Sequence, residues 1–109
     1  MKRGLKTFSR AVRDGKIEKA QEMYEKIVQG NMDDGLWEGY QTALKGMIEA
    51  LDSGDDLTLP RQIADGKYSK KRLKKIRKEM VSRASQEFRA ADERGFNMAW
   101  ADVLKVVLE

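Results

Sequence analysis

Histidine and cysteine are both missing from this chain of 109 residues. Without thiols there is no disulfide, no thiolate nucleophile and no thiolate metal site, which fits a reducing compartment. Without imidazole the commonest general base and the commonest metal ligand are gone. Proline occurs once, at Pro60, and aromatic residues make up only 7% of the chain, so neither rigid loops nor stacked rings can dominate the architecture. Apolar runs are a few residues long, too short to span a bilayer. The start, Met1-Lys2-Arg3-Gly4-Leu5-Lys6, opens like a secretory leader, but no apolar stretch follows it, and the expectation is a cytoplasmic protein.

The last scarcity is local. Gly66 to Lys78 contains no acidic residue but eight basic ones in thirteen positions. The net charge of +4 therefore conceals a division. Residues 1–66 hold ten Lys or Arg and twelve Asp or Glu, whereas residues 67–109 hold twelve and six. The sign changes at residues 54–68, the one stretch where a subdivision of a single 1–109 domain is conceivable. Each side alone is small for an independent core.

What is present is helical periodicity. Leu5, Phe8, Ala11 and Val12 mark one face of a helix over residues 2–14, with Gly15 as its stop. Ile17, Ala20, Tyr24, Ile27 and Val28 resume the period over 16–29, up to Gly30-Asn31. With almost no connection between them, the two should fold back as an antiparallel hairpin. Residues 33–52 follow, with Asp33 or Asp34 as N-cap and a broad stripe of Leu36, Trp37, Tyr40, Ala43, Leu44, Met47, Ile48 and Leu51. Gly39 and Gly46 lie inside that helix at a cost of about 1 kcal/mol each, which implies either close approach of a neighbouring helix or a groove for a partner. Pro60 can start a short helical turn that Gly66 ends, and Leu57, Leu59 and Ile63 should pin this connection to the body. Ser69 is the expected N-cap of a long helix over 70–93, seamed by Leu73, Ile76, Met80, Ala84, Phe88 and Ala91. Gly95 then reads as a helix stop and Asn97 as the cap of a final helix striped by Trp100, Val103, Leu104, Val107 and Leu108. The fold class that follows is all-α: a compact bundle of about five helices built from antiparallel hairpins.

The run from Gly15 through Ala20 to Tyr24 resembles the turn and second helix of a tetratricopeptide repeat, in which a turn glycine is followed by a small residue and then an aromatic. The resemblance covers residues 5–28; no second copy follows, because the glycine expected near position 49 is Glu49. It implies stacked helix pairs and a protein-interaction role.

Chemistry would have to come from carboxylates, Lys, Ser, Tyr and Arg. Asp33-Asp34 and Asp55-Asp56 are the paired acids, but they fall where acids cap helices and fill turns. There is no phosphate-cradling glycine motif and no nucleophile elbow. The expectation is a non-enzymatic protein with no cofactor and no metal site. Trp37 and Tyr40 share an aliphatic face, which makes them core, or alternatively the wall of a partner groove.

The candidate binding residues are Lys67, Lys70, Lys71, Arg72, Lys74, Lys75 and Lys78. With Leu73, Ile76 and Met80 inward, Lys71, Lys74, Lys75 and Lys78 project on the opposite face. Like charges three and four apart repel by a few tenths of a kcal/mol, and cations in a first helical turn are opposed by the macrodipole by about 0.3–1 kcal/mol each. Three things can offset this: pairing with Asp33, Asp34, Asp52, Asp55 and Asp56; phosphates of RNA or DNA; or an acidic protein surface. The expected function is that of a small binding or adaptor protein engaging an acidic macromolecular partner, with protein ahead of sequence-nonspecific nucleic acid and with no membrane partner.

Overall fold

The computed structural model describes residues 4–28 and 35–109. Among the described residues six helices run in the order α1 (Leu5–Arg13), α2 (Ile17–Val28), α3 (Gly35–Asp52), α4 (Leu59–Ala64), α5 (Lys70–Ala84) and α6 (Ala91–Val107). There is no strand among the described residues, and the all-α bundle is the fold. The expected stop at Gly30-Asn31 and the expected cap at Asp33 or Asp34 lie outside the described residues.

The α1–α2 hairpin closes as the glycine spacing implies. Gly15 takes a φ of 70°, its N–H donates to the Val12 carbonyl at 3.1 Å, and the Lys16 N–H donates to the Ala11 carbonyl at 2.8 Å. These two bonds satisfy carbonyls that the end of α1 would otherwise leave unpaired. Leu5, Phe8 and Val12 are wholly buried, as is Ala20 on the facing helix. The short α4 is capped by Thr58, which accepts from the Arg61 N–H, and carries Pro60 at its second position. Ile63 and Leu59 hold it against the core, while Leu57 is exposed. Arg61 also donates to the Leu51 carbonyl at 2.7 Å, closing the end of α3.

α3 and α6 form the centre. α6 packs against α3, α5 and α1, and one apolar cluster runs from Leu5 to Leu104 across the sign change at 54–68. Two glycines set the α3–α6 crossing. A Cβ on Gly39 would stand 1.8 Å from the Asp92 carbonyl oxygen, and a Cβ on Gly95 would stand 1.8 Å from that of Leu36. Each glycine Cα therefore lies within about 3.3 Å of a carbonyl oxygen, the range of Cα–H···O contacts at helix interfaces. Small residues continue at intervals of four on both helices: Gly35, Gly39 and Ala43 on α3, and Ala91, Gly95 and Ala99 on α6.

The structure corrects five expectations. The helix expected over 70–93 stops at Ala84, and Ser85–Ala90 turns the chain back into α6. Gly95 is not a stop; it is buried in the interior of α6, where the lack of a side chain admits α3. Asn97 is not a cap either. It is 5% exposed in mid-helix and donates through Nδ2 to the Glu93 carbonyl one turn back. Phe88, expected in the seam, stands 84% exposed on the connection. Gly46 has no neighbour that a Cβ would meet, so close approach explains Gly39 alone.

The two kinds of glycine should respond oppositely to alanine. Gly39→Ala and Gly95→Ala each force a side chain into backbone and should lower the unfolding free energy by about 2–3 kcal/mol. Gly46→Ala, exposed in a helix interior, should raise it by about 0.5–1 kcal/mol. Urea denaturation of the three variants measures this, and unchanged stability in Gly39→Ala would refute the crossing as described.

Candidate functional site

Local sequence explains where α5 begins. Ser69 is extended, its Oγ accepts the Arg72 N–H at 3.2 Å, and the first turn of the helix contains no acid. Just before it, Gly66 (φ 71°) ends α4, with its N–H on the Ile63 carbonyl and the Lys67 N–H on that of Gln62. The chain thus passes from a glycine-terminated turn into a serine-capped helix within four residues, and the basic block is delivered as the leading turns of α5.

α5 packs against α6 and against no other described helix. Leu73 is its one buried residue; Ile76, Met80 and Ala84 are half-buried. Lys67, Lys70, Lys71, Arg72, Lys74, Lys75 and Lys78 are all exposed. None of the seven forms an ion pair among the described residues; the ion pairs there are Lys6–Glu109, Arg13–Asp14, Lys19–Glu22, Lys26–Glu22, Arg61–Asp65 and Arg89–Glu93. Asp52, at the end of α3, and Asp55 and Asp56, on the α3–α4 connection, are exposed and take no part in those pairs, with Asp55 instead accepting the Leu57 N–H at 2.9 Å. Asp33 and Asp34 lie outside the described residues. Arg72 stands apart from the lysines, its guanidinium 5.0 Å from the centre of the Tyr68 ring. Tyr68 packs at the edge of the core and donates from its hydroxyl to Gln62 at 3.0 Å.

Trp37 and Tyr40, the alternative groove wall, are 4% and 6% exposed. Their rings stack with centroids 5.6 Å apart, and both belong to the buried apolar cluster. They are core, and the open-groove reading of this pair is set aside. The Tyr40 hydroxyl donates to Asp102 Oδ2 at 2.8 Å. Burial raises the phenol well above its ordinary value, and the Asp102 hydrogen bond and negative charge push the same way.

A feature that sequence reasoning missed lies beside the lysines. The hairpin of α5 and α6 leaves a groove of two adjoining hollows, of about 430 and 330 Å³, that share Arg77 and Val81. Its floor is apolar: Val81, Ala84, Met98, Ala101 and Leu108. Its rims are basic: Lys74, Arg77 and Lys78 on α5, Arg94 and Lys105 on α6. The single acid in it is Asp102, already bonded by Tyr40. Two arginines tie the walls reciprocally. Arg77 Nε donates to the Ala101 carbonyl at 3.1 Å, and Arg94 Nε donates to the Ala84 carbonyl at 3.0 Å, closing the end of α5. The one available signal was the recurrence of Arg94, Met98, Ala101, Lys105 and Leu108 at intervals of four and three, visible only once α6 is known to begin at Ala91. Across α3 and α6, Glu38, Asp92 and Glu93 line a separate, acidic hollow. No group of His, Cys, Asp or Glu able to hold a metal ion occurs among the described residues.

No family model matches this chain, and neither a characterised protein nor a solved structure is similar to it.

The buried phenol makes a signed prediction. Tyr40 is favoured neutral in the fold, so the stability it contributes is fully present below about pH 10, its unfolded value, and is lost as pH rises towards its higher folded value. Stability of the wild type should therefore fall more steeply above pH 10 than that of Tyr40→Phe, as followed by urea denaturation from pH 8 to 11. Parallel curves would remove the assignment.

Proposed function

We propose that this is a small, non-enzymatic binding or adaptor protein whose α5 engages an acidic protein. The observation that carries the reading is the set of lysines on the leading turns of α5, exposed and without ion pairs among the described residues, where helix electrostatics oppose them. An internal acidic partner is the cheapest explanation for such a block, and Asp52, Asp55 and Asp56 do not supply one. From Lys70 to Lys78 the charges extend over about 12 Å of helix. The α1–α2 hairpin adds weight to a protein partner: Gly15 at the turn, Ala20 buried between helices and Tyr24 packed on the core are what a tetratricopeptide-like hairpin requires.

Nucleic acid is the second reading, favoured by the line of exposed lysines on α5: Lys71, Lys74, Lys75 and Lys78 suit phosphate contacts. A pull-down from nuclease-treated native lysate separates the two. A protein partner stays bound and is lost when the four lysines become glutamine. RNA or DNA binding instead disappears with nuclease and, with purified nucleic acid, shows a salt slope that shrinks in the same variant. Recovery of the wild type alone, with no affinity for RNA or DNA at low salt, counts against both.

The same quadruple variant makes a prediction about stability. Removing the repulsion and the macrodipole conflict should raise the unfolding free energy by about 1 kcal/mol at low salt. The gain should shrink as salt screens the wild type. Binding and stability should therefore move in opposite directions, and loss of both would mean that the lysines are structural.

A further inference from the structure

The geometry points to a partner that binds as an amphipathic α-helix, its apolar side in the α5–α6 groove and its acidic side chains on the groove's rims. This rests on the reading of α5 as the contact for an acidic protein and specifies the form that the partner takes.

The apolar floor is the first observation. Among the described residues the large hydrophobic side chains left exposed are Leu57, Val81, Phe88, Phe96 and Met98. Val81 and Met98, 41% and 38% exposed, come from different helices and meet in this one groove. Phe88, 84% exposed, stands on the connection between the same two helices. A surface built only to attract phosphates has no use for such a floor, because counterion release depends on charge alone.

Size is the second. Arg94 to Leu108 covers about 21 Å along α6, and the levels of Met98 and Leu108 are about 15 Å apart, close to three turns of a bound helix. Helix-in-groove recognition uses apolar anchors at i, i+3 or i+4, and i+7, a spacing that this length accommodates. The described elements leave the groove accessible, because α6 is the one helical neighbour of α5 among the described residues.

Charge fixes the chemistry of the occupant. The rims carry five cations, and the one acid present is engaged by Tyr40. A basic or neutral helix would fill the floor but leave the rims unmatched, whereas Glu and Asp flanking an apolar stripe match both. Arg77 and Arg94 use Nε to hold the walls, so their terminal nitrogens remain as donors for carboxylates, and the walls are fixed before the partner arrives.

The test uses three fluorescent synthetic peptides with equal negative charge: one of about 18 residues with leucines on a single helical face and glutamates elsewhere, a scramble of it, and a shorter poly-glutamate with the same number of glutamates. Anisotropy at low salt should show the amphipathic peptide binding at least tenfold tighter than the other two. Val81→Ser with Met98→Ser should weaken that peptide at least fivefold and leave poly-glutamate unchanged, while Lys74→Gln with Lys105→Gln should weaken all three. On the wild type, methyl chemical shifts should move at Val81 and Met98, a readout that holds even if a variant folds poorly. Equal binding of the three peptides, or unmoved methyls, overturns the groove and leaves the acidic-partner reading standing. Binding of short RNA through Lys71, Lys74, Lys75 and Lys78 with no affinity for any peptide overturns both, and so does binding of neither.

Discussion

α3 and α6 meet at backbone distance, where two glycines each present a bare Cα to a backbone carbonyl of the other helix. Everything else is placed relative to that crossing. It lets the Tyr40 hydroxyl reach Asp102 and leaves the remaining faces of α6 for α1 and α5. Close packing without side-chain interdigitation also leaves no slack. A helix pair held at backbone distance cannot absorb an added methyl by a rotamer change, because the opposing atoms belong to the main chain.

The molecule divides its electrostatics by position. Elsewhere, charges on several helices are matched locally, as in Lys19 and Lys26 with Glu22, or Arg89 with Glu93. Such exposed pairs contribute little each, and other charges, such as Arg10, Lys45, Glu49 and Glu87, form no ion pair among the described residues. α5 differs in gathering charge of one sign at its start. Its lysines form no ion pair among the described residues, and its apolar seam is narrow, with Leu73 its one buried residue. α5 is thus the element with least stake in the core and most charge at its surface, while Arg77 and Arg94 tie it to α6 through Nε and keep their terminal nitrogens as donors.

Much of this was legible in the residues. The first three helices and the glycine at the first hairpin turn follow from apolar period and turn chemistry, and the buried stripe of α3 follows from its width. The confinement of basic charge to one helix start was also readable, since capping by Ser69 is a local signal. The α5–α6 boundary was not. Glycine is the usual helix stop, and Gly95 carried that meaning until its backbone neighbour in α3 was known; a close-approach glycine and a terminating glycine are identical in a single sequence. The acids Asp92 and Glu93 were the better guide, because acids gather in a first turn. Moving that boundary back from Asn97 to Ala91 is also what reveals the groove, whose two walls lie too far apart in sequence for periodicity to join them.

The attachment of α5 through a single neighbour has a consequence for motion. A helix held by several partners opens only when the whole domain does, but the opening free energy of α5 is set by one interface, two arginine ties and one buried leucine. α5 is therefore the natural candidate for a separate cooperative unit, with amide protons that exchange before those of α3 and α6. The lysines then ride on the part of the molecule that can be ordered or released at least cost to the remainder.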